Sequence, residues 1–341
     1  MDIGWNLGNT FDSVDSSSRI KKIKEYEQLW GSPEITKGLI NDIKNAGFTI
    51  IRIPVTWNAH IGPAPDYIID KKWIDRVSAI VDYTIANDIR AIINLHHEDW
   101  YMPSEDDFQK ASEKLYKVWL QVAESFKNYS GHLIFEGMNE PRLIGTEYEW
   151  NGGNESARNI VNSLNDIFVK AVRSTGGKNS VRKLMIPTYA ASCTIDAINA
   201  LELPDDKNII VSVHAYIPYE FALNKNGTAN WSSDNENDTY EIDNLMELLY
   251  RKFVCVGVPV IIGEFGAVDK NNTKERIAWS EYFVSRAAKN NITCVWWDNY
   301  IFDGDGERFG LYDRGEQQWI YPGVINALMK GLRSADKVYY T

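Results

Sequence analysis

Only three cysteines occur in the 341 residues, Cys193, Cys255 and Cys294, and no two stand in a C-x-x-C spacing. A disulfide scaffold and the usual cysteine-rich zinc sites are therefore excluded, and three small buried side chains are expected. Positive charge is also short: 36 Lys and Arg against 47 Asp and Glu leave a net charge of −11. With no basic stripe to offset that balance, nucleic acid is not an expected partner. No apolar run is long enough to span a membrane. Neither G-x-G-x-x-G nor G-x-x-x-x-G-K-[ST] occurs, so the usual phosphate-binding loops are missing. Met1–Asn9 lacks a basic segment followed by an apolar stretch, so no signal peptide is legible. If the protein is exported, the expectation is that its leader has been removed.

What the chain does have is a recurrent alternation. Continuous, β-branched apolar runs occur at Ile3–Leu7, Phe48–Ile53, Ala91–Leu95, Leu133–Met138, Lys183–Pro187, Ile209–Val213, Val258–Ile262 and Thr293–Trp297. Continuous rather than alternating runs suit parallel strands buried on both faces. Helical patterns separate them: Ile35–Asn45 (with Ser32 as the expected N-cap), Lys72–Asn87, Asp107–Tyr129, Ser156–Thr175, Ile195–Leu201, Tyr240–Phe253, Lys274–Lys289 and Pro322–Leu332. Eight such alternations predict an α/β fold, a (β/α)8 TIM barrel forming one domain over residues 1–341. A doubly wound open sheet is the rival. The long polar stretch Tyr219–Thr239 reads as a surface loop, at the rim of the site or merely mobile.

In such a barrel the chemistry sits at the C-terminal ends of the strands. Polar groups recur there: Arg52 after the second run, His96 and His97 after the third, Asn139 and Glu140 after the fourth, His214 and Tyr216 after the sixth, Glu264 after the seventh, and Trp297 with Asp298 at the eighth. A carboxylate that ends an apolar strand is costly unless the site uses its charge. Two of them, Glu140 and Glu264, suit an acid and a nucleophile about 5–5.5 Å apart, the spacing that retaining cleavage of a glycosidic bond requires. Glu140 would donate a proton to the leaving oxygen. Glu264 would stay ionised, with Arg52 and Tyr216 as candidates to hold it so.

Other readings compete. His96, His97, Glu98 and His214 contain metal-ligand chemistry, but neighbours on a strand point to opposite faces, so His96 and His97 are not expected to share an ion. Asp303–Glu307 resembles a calcium loop only faintly, and a solvated turn is expected. Trp5, Trp57, Trp100, Tyr101, Trp150, Trp231 and Trp297 fall at or beyond strand ends, where indole rings could face the C–H faces of sugars. Trp73, Trp119 and Trp279, on helices, are expected in the core.

The chain resembles glycoside hydrolase family 5, and within it subfamily 4. The likeness runs through Gly4–Asp12, Ala46–Phe48, Arg52–Trp57, His96–His97, His132–Arg142, Val211–Tyr216, Pro259–Ala267 and Trp297–Asn299. It implies a (β/α)8 barrel, retention of configuration, and no metal or cofactor. Glu140 matches the acid/base position and Glu264 the nucleophile. Arg52, His96, Asn139, His214, Tyr216 and Trp297 match the remaining active-site positions, with Asn139 on the sugar 2-hydroxyl, and Asn6, Trp57 and His97 join the expected substrate-binding set. Members resembling this chain are mostly endo-β-1,4-glucanases, several of which accept xyloglucan, mixed-linkage glucan, glucomannan or xylan. The expected partners are β-glucan polysaccharides and oligosaccharides, with neither nucleic acid nor membrane. The expected unit is an extracellular, monomeric catalytic module, as found within larger secreted proteins. An endo-β-mannanase, a xylanase, a barrel that binds carbohydrate without cleaving it, and a metal-dependent hydrolase are the alternatives.

Overall fold

The computed structural model describes residues 2–15 and 22–334. Eight parallel strands close into a barrel in chain order. They are β1 (Ile3–Leu7), β2 (Ile50–Ile53), β3 (Arg90–Asn94), β4 (Leu133–Glu136), β5 (Leu184–Ser192), β6 (Ile209–His214), β7 (Val260–Phe265) and β8 (Thr293–Asp298). Following them in turn come α1 (Lys37–Asn45), α2 (Lys71–Ala86), α3 (Phe108–Ser125), α4 (Glu155–Ser174), α5 (Ile195–Ala200), α6 (Glu236–Lys252), α7 (Thr273–Lys289) and α8 (Pro322–Ser334). No described helix is long and apolar enough to cross a membrane. Two compact parts are distinguishable by packing: one carries β1, most of β2, β7 and β8, the other β3, β4, β5 and most of β6.

In the first part, β1 lies between β2 and β8. Its register sets Asn6 beside Arg52 on β2 and Trp297 on β8. The β7–β8 pairing slips between Ile262 and Phe265, a bulge that contains Gly263 and Glu264. An extra residue bends the strand and re-aims its side chains, and it leaves a carbonyl unpaired. Asn6, fully buried, takes up that carbonyl: its Nδ2 lies 2.9 Å from Gly263 O and 3.2 Å from both Val295 O and Trp296 O.

In the second part, Asn94 on β3 pairs in register with Glu136 on β4. Helix α3 closes over these strands with Trp119, whose Nε1 donates to Gly137 O at 2.8 Å. Gly137 has to be glycine, because a Cβ there would fall 2.6 Å from the Phe168 ring of α4. Together these contacts fix the backbone that leads from β4 to Glu140.

Several expectations need correction. Thr36, not Ser32, caps α1, its hydroxyl accepting from Leu39 N. Ser32 instead accepts from Arg314 Nη1 at 2.9 Å. The polar run at 219–239 is mostly ordered by its own chain: Tyr219–Ala222 makes a helical turn, and Asn235 caps α6, which begins at Glu236, four residues before Tyr240. Only Cys294 is buried; Cys193 is partly exposed and Cys255 exposed. Trp73, Trp119 and Trp279 are core residues, as their helical spacing predicts.

One buried titratable group gives the fold a pH dependence. His60 stacks on Trp73 at 3.9 Å between ring centroids and meets the edge of Tyr26. Burial drives its pKa from 6.5 down to about 4, against the opposing pull of Asp70. Between those values the unfolded chain holds the proton and the native chain does not, so stability falls as pH drops through that window. His60→Phe keeps the stack and removes the titration. The melting temperature of the parent should therefore fall more steeply from pH 6.5 to pH 4.5 than that of His60→Phe, as scanning calorimetry would read.

Candidate active site

Glu264 stands in the bulge of β7, almost fully buried. Arg52 Nη1 donates to its Oε1 at 2.8 Å and Tyr216 Oη to its Oε2 at 2.9 Å. His214 Nδ1 lies 3.6 Å from the same Oε2. The backbone is held too, with Ala215 N donating to Glu264 O at 2.9 Å. Arg52 is itself fully buried, and its Nη1 also reaches Asn6 Oδ1 at 2.9 Å. A charge with no water around it is tolerated only when paired and hydrogen-bonded, and here both partners are. The result is an immobilised carboxyl group with its two oxygens held by different donors.

Asn6, expected to touch substrate, is fully buried, and its amide meets three carbonyls and Arg52, so it orients Arg52 and the bulge. Trp297, its register neighbour on β8, is half-buried. A Cβ on Gly8 would meet the Trp297 ring at 2.9 Å, so the bare backbone of Gly8 makes room for that indole.

The other carboxylate, Glu140, lies four residues beyond β4 and is partly exposed. Arg142 Nη1 donates to Glu140 O at 3.1 Å and stands 3.6 Å from Glu140 Oε2. Arg142 is held in turn by Glu149 Oε1, 3.1 Å from its Nε, and by the Trp150 ring, 4.3 Å from its guanidinium carbon. Asn139, next to Glu140, is buried, its N donating to Leu95 O at 2.9 Å.

Glu140 and Arg142 line a cavity of about 600 Å³ with Ser13, Trp30, Thr56, Asn58, His96, His97, Glu98, Tyr101 and Ile144. His96 is buried, its Nδ1 3.1 Å from Asn94 Nδ2 and its O accepting from Tyr101 Oη at 2.7 Å. His97 is exposed and sits against Trp30, 5.7 Å between centroids. The two imidazoles do not diverge as strand neighbours would, because β3 ends at Asn94. Their rings are 4.5 Å apart, and Asp12, His96 and His97 each bring a ligand atom within 4.8 Å of the others. Both Asp12 oxygens already accept backbone N–H groups, from Asn9 at 2.9 Å and Thr10 at 2.6 Å. Burial raises the Asp12 pKa, and His97 together with those amides opposes the rise.

Trp57, expected to face substrate, is fully buried, and its Nε1 donates to Asn94 O at 2.8 Å. Trp5 and Trp231 are buried as well, with Nε1 bonds to Asp298 Oδ2 and Asp238 O. The indoles left with open surface are Trp30 and Trp150, 38% and 60% exposed, with Trp100, Trp297 and Trp319 partly so.

Trp30 was missed in the sequence, although a lone tryptophan before the Gly31–Ser32–Pro33 break, outside any helical pattern, was its signal. Two further carboxylates are buried, Glu136, which the sequence did not single out, and Glu98, which it weighed only as a metal ligand. Glu136 accepts from Ser212 Oγ at 2.8 Å and Asn94 Nδ2 at 3.1 Å. Glu98 accepts from Trp57 N and Trp100 Nε1, both at 2.5 Å, and from Asn58 N at 3.2 Å. Burial pushes the Glu98 pKa up to about 7 despite those donors.

Residues 12–303 match the cellulase family, glycosyl hydrolase family 5. The chain belongs to that family. It is 46% identical over 342 residues to an endoglucanase B of Neocallimastix patriciarum, covering 99% of this chain and 72% of that one. Among solved structures it is similar to a GH5-4 broad-specificity endoglucanase from Ruminococcus champanellensis with bound cellotriose. That pair shares 45% identity at a TM-score of 0.93, with 96% of each chain covered. A family 5 lichenase from Caldicellulosiruptor sp. F32, in complex with cellotetraose, is 44% identical at a TM-score of 0.93, covering 97% of this chain and 93% of that one. Other curated relatives are longer, and the chain spans 65% of an endoglucanase A from Clostridium longisporum. As a family 5 glycoside hydrolase, the chain acts on glycosidic bonds.

Proposed function

We propose that this chain is an endo-β-1,4-glucanase that cleaves internal bonds of cellulose-like β-glucans, mixed-linkage glucan included, with retention of configuration. The observation that carries the reading is the Glu264 carboxylate, fixed by Arg52 and Tyr216. Glu264 attacks the anomeric carbon and forms an ester while Glu140 protonates the departing oxygen. Once esterified, Glu264 carries no charge, and Glu140 then acts as base toward the incoming water. The reading requires the two carboxyls to stand about 5–5.5 Å apart. Asn139 holds the 2-hydroxyl of the sugar at the cleavage point. His96, His214 and Trp297 contact that sugar, and Trp30 with His97 extends the binding surface along the 600 Å³ cavity. The module works outside the cell, where its polymeric substrate is found.

The distinguishing experiment follows barley β-glucan by viscosity, by reducing ends and by proton NMR. Viscosity should collapse while only a small fraction of bonds is broken, and the first new reducing ends should be β-anomers. Immediate appearance of α-anomers would place a water, not Glu264, on the anomeric carbon. Faster turnover of mannan or xylan than of any β-glucan would move the assignment to one of those enzymes.

A further inference from the structure

A second, smaller depression lies in the part of the molecule that carries β1, β2, β7 and β8. It has a volume of about 390 Å³ and is formed by α1, the start of α8, and a hairpin of β9 (Tyr312–Asp313) and β10 (Gln318–Trp319). Its residues belong to neither carboxylate cluster described above. Its lining includes Trp319, a partly exposed indole fixed by the edge of Tyr312 at 4.9 Å and by Phe48 at 6.0 Å between centroids. Tyr312 Oη in turn donates to Asp42 Oδ2.

Three exposed amides, Asn45, Gln317 and Asn326, share this lining. Among the described residues their side chains make no hydrogen bond, and neither does the Trp319 Nε1. Gln317 also holds a left-handed backbone with φ of 53°, an uncommon conformation for a residue with a Cβ. Free amides are donors and acceptors at once, which is the pattern that vicinal hydroxyls satisfy. An anchored aromatic face takes the C–H side of a pyranose. Among the described residues no Lys, Arg or His lines the depression, so a phosphate or carboxylate ligand meets no counter-charge from them. The volume accommodates about two sugar units.

We infer that the depression around Trp319 is a non-catalytic binding site for a short stretch of neutral β-glucan chain, separate from the bond-cleaving carboxylates. It rests on the proposed substrate class only for the linkage of the sugar. Its occupancy would keep a long polymer on the enzyme between cuts and would leave short substrates unaffected.

The test is native electrophoresis through gels containing barley β-glucan, run in a Glu264→Gln background so that the polymer survives. Trp319→Ala should weaken the apparent affinity about three- to tenfold. The paired variant Asn45→Ala with Asn326→Ala alters exposed side chains only and should shift mobility in the same direction. In the otherwise unaltered enzyme both sets should raise KM on the polymer and leave hydrolysis of an aryl cellobioside unchanged. Retardation equal to the parent for both variants would overturn the site, and stronger retardation in an α-glucan gel would overturn the ligand class. Clearing of the gel by Glu264→Gln would count against Glu264 as nucleophile, while the mobility difference at Trp319 would still be read.

Discussion

Glu264→Ala should lower kcat on β-glucan by about 10⁴- to 10⁶-fold, the scale expected when a covalent nucleophile is removed. The loss is chemical rather than structural. Arg52 keeps Asn6 Oδ1 as an acceptor, so the barrel should still melt in one transition. Its stability should nevertheless fall by about 3–5 kcal/mol, because a buried guanidinium loses its counter-ion. Urea titration would read that cost. The vacated space also makes a stereochemical prediction. Added azide should attack an activated β-glycoside directly from the side that Glu264 occupied, giving an α-glycosyl azide. Polymer hydrolysis at the parental rate would end the assignment.

Glu140→Ala should separate substrates by their leaving groups. A sugar hydroxyl leaves poorly without a proton, so glycosylation by a polymer should slow about 10²- to 10⁴-fold. A dinitrophenolate leaves unaided, and that step should stay within about tenfold of the parent. The ester on Glu264 then waits for a water that lacks its base, so stopped-flow traces should show a burst followed by slow turnover. Azide needs no base, should release the ester, and should form a β-glycosyl azide. The two variants thus predict azides of opposite anomeric form from one substrate. Equal losses on polymer and aryl glycoside would remove Glu140 from the acid role.

Much of this was legible in the sequence, for identifiable reasons. Continuous apolar runs mark strands covered on both faces, and β1 came out with the same ends, Ile3 and Leu7. Strand ends were harder. β5 runs on to Ser192, past Pro187 where the apolar run ended, and Ala190 and Ala191 there adopt positive φ. β7 extends to Phe265 because the bulge lets pairing resume beyond Glu264. Composition could not distinguish a tryptophan that packs inward, such as Trp57, from one left open, such as Trp30. Both follow polar or loop sequence, and only the third dimension supplies Asn94 O as the partner of Trp57. Nor could spacing reveal that His96 and His97 turn toward each other, because the alternation rule lapses once the strand has ended. Glu136 was hidden for the opposite reason: its partners Asn94 and Ser212 lie 42 and 76 residues away on other strands.

The bulge in β7 has a consequence for protein engineering. The position of the Glu264 carboxyl is written into main-chain geometry, and Asn6 is the fastener that joins that geometry to Arg52. Transplanting the proposed reactive centre into another barrel therefore means moving a slice across neighbouring strands, with Asn6, Arg52 and the irregular Gly263–Glu264 step together. A glutamate inserted alone into a regular strand would inherit the residue type without the aim.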